Sequence, residues 1–389
     1  MREFGRRLII VDIPRKKLEQ IARGPITFSP ERPYRLFTGG LLLDQLLKRD
    51  NPEDGHHGEA WYAATIEAAD VRGGIPDKNA VPQGLGKIIV DDRTVLFRDL
   101  VDQFPDTLLG EPVAREFGAT VPIIAKFIDT AVRHVVQVHP TKAFANKHFN
   151  FPSGADEAWL MLTIRDNLPE PAHVYLGFKD GMTRESWEPI LFRGNSEELL
   201  GCLNKIPVSA RETYYVPAGV PHALGPGLFI VEIHEPADFI FRAEKQWLGM
   251  GLSEQQRHLG LGFDTLVEAF EYTCLTAQEA KNTLRYQPKK FLRDSGKEVS
   301  MYFPGRPEKA FGILTIKVCK SSTLALGSQF SVGLVIRGES KLRWNGGETQ
   351  VTPGKGIFFP AALDGVECIP DGRLEIVMCF LEGDFFENQ

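Results

Sequence analysis

Tyr215-Val-Pro-Ala-Gly-Val-Pro-His222 is a short apolar run followed by a proline-braced turn that ends on a histidine. Two other segments share its character. Val135-Val-Gln-Val-His-Pro140 carries Gln137 and His139, and Glu157-Ala-Trp-Leu-Met-Leu-Thr163 opens on a carboxylate. Short β-branched and aromatic runs punctuated by Gly, Pro and Asp read as strands. In a strand, residues i and i+2 point to one face, so Gln137 and His139 project together. Glu157 likewise shares a face with Trp159 and Met161. Two imidazoles and a carboxylate near strand ends are costly to bury unless something pairs with them. A divalent metal is the simplest partner. Gln137, His139, Glu157 and His222 supply two nitrogens, a carboxylate and a neutral oxygen, which suits Zn²⁺ with one position left open. Fe²⁺ or Mn²⁺ takes the same set, because ligand type alone does not select the metal. Glutamine is an uncommon ligand, and residue type alone would not nominate Gln137. For each residue alone, the competing reading is a hydrogen-bonded strand side chain.

Outward from these segments, the chain has 389 residues, enough for two or three domains. Its 43% hydrophobic and 25% charged content is that of a soluble globular protein with real cores. A formal charge of −6 without any Lys/Arg run argues against a general nucleic-acid surface. No apolar run approaches the roughly 18–20 residues that cross a bilayer. The start, Met1-Arg-Glu-Phe-Gly-Arg-Arg-Leu-Ile-Ile-Val11, is basic, but its apolar part is too short for a signal peptide. Five widely spaced cysteines, with no Cys-x-x-Cys pair, fit free thiols in a reducing cytoplasm. A cytoplasmic protein is expected, with no membrane partner.

Helix signals are few. Residues 99–109 and 195–203 read as short helices. Asp264 is placed to cap a helix over Thr265–Thr273, and Thr276 with Glu279 forms a capping-box pattern before Ala280–Leu284. From about residue 299 onward a second β unit is expected, with strands over 312–318, 330–336, 340–344, 356–360 and 374–380. Asn345-Gly346-Gly347 marks a tight turn between two of them. This unit holds no histidine, so it is not expected to bind the same kind of metal. Its Pro353-Gly-Lys-Gly-Ile-Phe-Phe-Pro360 faintly echoes Val216-Pro-Ala-Gly-Val-Pro221, as a duplicated unit would.

Taken in order, Gly58-Glu-Ala-Trp61, Lys126-Phe-Ile-Asp129, Val136-Gln-Val-His-Pro140, Glu157-Ala-Trp159, the 215–225 segment, Glu232-Ile-His-Glu-Pro-Ala-Asp238 and Arg242 resemble type I mannose-6-phosphate isomerase in its short bacterial form. The likeness is strong over roughly residues 30–250. It implies a mainly β protein of two cupin-type jelly-roll units joined by a short helical segment. The implied divisions are a catalytic cupin domain over 1–250, a helical connector over 251–296 and a metal-free cupin-like domain over 297–389. By resemblance Gln137, His139, Glu157 and His222 are zinc ligands and Arg242 is the active-site arginine.

That family's reaction moves a proton between C1 and C2 of a sugar phosphate and needs a cation to hold the developing oxyanion. Glu232 and His234 share one strand face, and either serves as a proton-transfer or substrate-binding group. Arg242 shares a face with Asp238, and a guanidinium there grips phosphate or sugar oxygens in a fixed fork. The sequence also departs from the family. Its usual lysine two residues before the ligand glutamate is Ala155 here, Asp156 adds an acid beside the ligand, and His234-Glu235 replaces two glutamines. Lys126, Lys147 and Lys179 are the substitute cations, with Lys179 a candidate substrate-binding residue. The expected ligand is a small sugar phosphate. The alternatives are an isomerase of another sugar, a silent sugar-binding or regulatory cupin and, more remotely, a dioxygenase using the same ligands for Fe²⁺.

Overall fold

The computed structural model describes residues 13–69, 82–294, 296–304, 311–327 and 329–381. The N-terminal stretch 1–11 lies outside the described residues, and so do both ends of the expected domain scheme. Strands make up 38% of the chain and helices 22%, so the protein is mainly β, with more helix than the sparse signals suggested.

Three antiparallel sheets carry the architecture. A six-stranded sheet runs in the order Arg285–Tyr286, Thr213–Val216, Glu157–Ile164, Leu228–His234, Ile124–Asp129, Glu59–Tyr62. A five-stranded sheet has the order Phe241–Arg242, Gln137–Val138, His222–Leu224, His173–Phe178, Leu203–Pro207. The largest sheet, of nine strands, is built from residues 289–381 together with Ile26–Phe28, which pairs with Gly356–Phe359. The N-terminal region therefore contributes an edge strand to the C-terminal sheet.

The strands of the six-stranded sheet are buried almost throughout; Leu228–His234 is buried at every position. Such strands are covered on both faces and so read as continuous apolar runs rather than alternating ones. One apolar core crosses from this sheet to the C-terminal one. Phe97 packs edge-on against both Phe28 and Phe358, at 5.0 and 4.9 Å between ring centroids. Burying each such ring stabilises the fold by roughly 1.5–3 kcal/mol. Tyr62 Oη–H donates to the Gly354 carbonyl at 2.7 Å, so the contact is pinned as well as packed.

The capping box is present, with Thr276 N–H donating to Glu279 and Glu279 N–H to Thr276 Oγ1 ahead of the Ala277–Leu284 helix. Asp264 does not cap. The helix is Phe263–Glu268, its N-cap is Gly262, and Asp264 lies inside the first turn, where a carboxylate still complements the helix dipole. The strands expected over 330–336 and 340–344 are one, Ser331–Trp344. Register shifts around Arg337 absorb the irregularity that looked like a break, with Gly338 at φ +76°. The turn at 345–346 joins that strand to Gly347–Val351 as expected. Two unanticipated helices, Lys142–Phe149 and Arg184–Arg193, start from threonine caps at Thr141 and Thr183 that lack the acidic residue of the usual pattern.

Candidate metal centre and its pocket

Gln137 and His222 are cross-strand partners on the five-stranded sheet, and His139 follows one residue beyond the Gln137–Val138 strand. Glu157 opens a strand of the six-stranded sheet that faces them. The four side chains expected to form a metal shell thus come from two sheets and meet between them. His139 Nε2 lies 3.0 Å and His222 Nε2 3.8 Å from the Glu157 carboxylate oxygens. The Gln137 amide is 3.3 Å from both Nε2 atoms, and turning it over presents its oxygen to the same point. His139, Glu157 and His222 each offer a ligand atom within 4.8 Å of the others, and all three are buried.

The orientation of the imidazoles is the decisive detail. His139 Nδ1 is 2.9 Å from the Phe239 carbonyl and His222 Nδ1 is 2.8 Å from the Val220 carbonyl. A carbonyl only accepts, so each Nδ1 carries a proton, and in the neutral ring each Nε2, turned toward Glu157, is the nitrogen free to bind a metal. Two lone pairs and a carboxylate directed at one spot repel one another unless a cation lies among them. A second hydrogen bond that fixes tautomer and ring angle is also the usual support of a metal-binding histidine. The residues present fit a divalent metal. In the protein alone the strain appears as opposed proton affinities. Burial works to lower His139 but Glu157 overcomes it and raises it, whereas burial lowers His222 to about 4. Burial opposes the Glu157 charge, yet His139 and then His222 hold that carboxyl far below its ordinary range.

The acid beside the ligand has a structural task. Asp156 Oδ1 accepts from Ala218 N–H at 2.6 Å, and Asp156 N–H donates to Glu235 at 3.1 Å. These bonds tie the turn that presents His222 to the strand that presents Glu157. On the same turn, Gly219 adopts φ +85° and donates its N–H to the His139 carbonyl at 2.8 Å. A side chain there would lie 2.4 Å from Glu271 Cγ, so glycine is required twice over. Beneath the Gln137 strand, buried Glu244 accepts from Val136 N–H and forms a two-pronged pair with Arg133 at 2.7 and 2.9 Å.

The pocket at the shell is lined by Gln137, His139, Glu157, Glu232, His234 and Arg242 among others. Its wall follows from strand register. Trp61 stands opposite Lys126, Lys126 opposite Glu232, and Glu232 opposite Trp159, a row across four strands. Lys126 Nζ sits 2.8 Å from Glu232 and 3.7 Å from Glu59. Among the three substitute lysines, the one that enters the pocket is Lys126. Lys179 is exposed and donates to the Gly201 carbonyl, and Lys147 pairs with Glu268 on the surface.

Arg35, which sequence reasoning passed over, is buried in the same wall. It donates to Glu59 at 2.9 Å and to Asp238 at 3.2 Å. Asp238 is therefore engaged by Arg35. Arg242 donates to the Ile240 and Gln256 carbonyls and, among the described residues, has no carboxylate within ion-pair distance. Burial and the neighbouring Arg35 lower its pKa to about 10. Glu232 is shifted the other way: burial, then Glu157, raise it to about 7 against the pull of Lys126. The pocket thus holds a cation with no carboxylate in ion-pair distance among the described residues, beside a carboxyl poised near neutrality, both flanking the candidate metal shell.

No family model matches the chain. Over 125 residues it is 30% identical to the mannose-6-phosphate isomerase ManA of Bacillus subtilis (strain 168) and 31% identical to the mannose-6-phosphate isomerase of Streptococcus mutans. The match takes in 32% of this chain and 37% of each relative. The crystal structure of the mannose 6-phosphate isomerase from Bacillus subtilis superposes with a TM-score of 0.68 at 17% identity, covering 92% of this chain and 99% of that one. The protein therefore resembles the mannose-6-phosphate isomerases in sequence over that segment, and it shares their fold.

Proposed function

We propose that this protein is a zinc-dependent aldose–ketose isomerase that interconverts mannose 6-phosphate and fructose 6-phosphate through an enediolate. The observation that carries the reading is the pair of histidines whose Nδ1 protons are engaged by backbone carbonyls, leaving both Nε2 atoms directed at Glu157. Gln137, His139, Glu157 and His222 would hold the metal. Once bound, the ion supplies Lewis-acid stabilisation of the oxyanion that develops as the proton moves. Glu232, raised toward neutrality, takes and returns the proton between C1 and C2. Lys126 holds that carboxylate in place from the neighbouring strand. Arg242, a buried cation facing the pocket, grips the phosphoryl group or the sugar oxygens, and His234 contacts the sugar. Lys179 lies outside the pocket, so Lys126 takes the cationic role that the Ala155 position leaves open.

We assign the chemistry to residues 1–250, with 251–296 as connector and 297–389 as a metal-free β unit that braces the first. A cytoplasmic enzyme acting on a small sugar phosphate is the accompanying expectation. A second reading, isomerisation of an unphosphorylated or differently phosphorylated sugar, draws on Ala155, buried where the family keeps a lysine.

The purified protein should hold about one zinc per chain and convert fructose 6-phosphate to mannose 6-phosphate. His139→Ala and His222→Ala should each lose both properties. Stoichiometric metal without turnover of any phosphorylated or free sugar would overturn the isomerase and favour a sugar-binding cupin. Oxygen consumption with iron bound would instead indicate the dioxygenase.

A further inference from the structure

His134 is a buried histidine of the pocket that neither the metal shell nor the proton-transfer groups use. It lines the same cavity as Gln137, His139 and Glu157, yet it stands outside the His139–Glu157–His222 cluster. Its backbone is fixed on both sides, with N–H donating to the Leu224 carbonyl and the carbonyl accepting from Arg133. Its ring lies against Phe37 at 4.0 Å between centroids, tilted by 39°. The imidazole is thus held in one place by strand and aromatic contacts. Nevertheless its Nε2 is buried with no hydrogen-bond partner among the described residues.

A buried polar atom without a partner is uncommon in folded proteins and calls for an explanation. Three explanations compete. A metal ligand is disfavoured because the ring stands apart from the convergent donors. Phosphate recognition is disfavoured because the imidazole is neutral: burial lowers it to about 3, and Glu59 pulling upward does not restore its charge. Phe37, packed against the ring, gives the imidazole an apolar face, with Lys126 and Glu59 acting on it from across the pocket. A hydroxyl remains. It both donates and accepts, so it satisfies Nε2 in either tautomer, while a C–H face of the same ligand covers the apolar surroundings.

We infer that His134 is a specificity-determining residue whose Nε2 hydrogen-bonds one hydroxyl of the sugar chain, with Phe37 bracing the ring so that the configuration at that carbon is read. The assignment rests on the isomerase reading and deepens it. A site built to hydrogen-bond a hydroxyl rejects an analogue lacking it, because the buried group is then left unpaired.

The test compares the metal-loaded wild type with His134→Leu and His134→Asn. The probe is a series of hexitol 6-phosphates that cannot isomerise, each lacking a single hydroxyl, with binding measured by calorimetry. In the wild type, one deoxy position should weaken binding by roughly three- to tenfold. His134→Leu should bind the parent hexitol phosphate that much more weakly, yet show no further loss for that one deoxy compound. His134→Asn should restore part of the discrimination. Metal content should be unchanged in both variants, and the kinetic effect of His134→Leu should fall on KM more than on kcat. A leucine variant that keeps the wild-type pattern of deoxy penalties, or that weakens every member equally, overturns the inference. Wild-type turnover alongside that result leaves the isomerase reading standing. A wild type that neither binds the series nor turns over sugar phosphates overturns both.

Discussion

Replacing Lys126 by methionine isolates the electrostatics of the pocket wall, because the ammonium lies within ion-pair distance of two buried carboxylates. Lys126 Nζ is 2.8 Å from Glu232 and 3.7 Å from Glu59, and all three side chains are at most 7% exposed. Methionine keeps most of the volume and the packing on Trp61, so the loss is chiefly one of charge. Breaking a buried ion pair from one side costs about 3–5 kcal/mol, since the remaining charge is stranded. Glu232 can limit that cost by taking a proton. Its carboxyl is already raised from 4.5 to about 7 by burial and by Glu157, and losing Lys126 raises it further. The sign follows from linkage. A carboxyl whose pKa is raised on folding contributes its stability in full below pH 4.5 and loses it as pH rises through the folded value. In the wild type that loss is largely complete just above pH 7. In Lys126→Met it continues, at about 1.4 kcal/mol for each further pH unit. The metal-free variant should therefore be roughly 2–4 kcal/mol less stable than the metal-free wild type at pH 7, with the gap widening toward pH 8.5 and narrowing toward pH 5. Adding Glu232→Gln to Lys126→Met should remove most of this pH dependence and recover part of the stability. Equilibrium urea unfolding of the chelated proteins across that range measures all three. A pH-independent gap, or a double variant no better than the single, would refute the ion-pair account.

Gly219→Ala places a side chain at φ +85° and 2.4 Å from Glu271 Cγ, so the turn that presents His222 must shift. The expected cost is roughly 1–3 kcal/mol, with zinc affinity falling in parallel, read by thermal unfolding and competitive metal titration. Arg242→Lys keeps the charge but loses the planar fork. It should raise KM for the phosphosugar about tenfold or more while leaving metal content and fold unchanged, as steady-state kinetics and metal analysis would report.

What could be read from the sequence was whatever the period of a strand determines locally. Gln137 and His139 share a face because they are two apart, and their amide and imidazole do meet at 3.3 Å. His222 is fixed by a proline-braced turn, and its Nδ1 binds a carbonyl only two residues back. Lys126 was visible only as one lysine among several. Its place in the pocket depends on register with Leu228–His234 on one side and Glu59–Tyr62 on the other, both remote in sequence. Arg35 and His134 were illegible for the same reason. Nothing within several residues of either signals that a distant carboxylate or aromatic ring will enclose it.

Asp156 shows how strand geometry assigns opposite tasks to neighbouring acids. Read in sequence, it is an extra negative charge beside an expected metal ligand. In the fold, Glu157 opens its strand and lines the pocket, whereas Asp156, one residue ahead of the strand, reaches the neighbouring turn. There its carboxylate takes up a backbone N–H of the His222 turn at 2.6 Å. That carboxylate ties the turn carrying His222 to the segment carrying Glu157. The same logic covers Ala155. Under the isomerase reading, a lysine missing just ahead of one strand is replaced by Lys126 from another, which the register brings into the same pocket. The chemistry of this pocket is therefore set by which rows of side chains the register aligns, and single substitutions along one strand are a poor guide to whether the function has been lost.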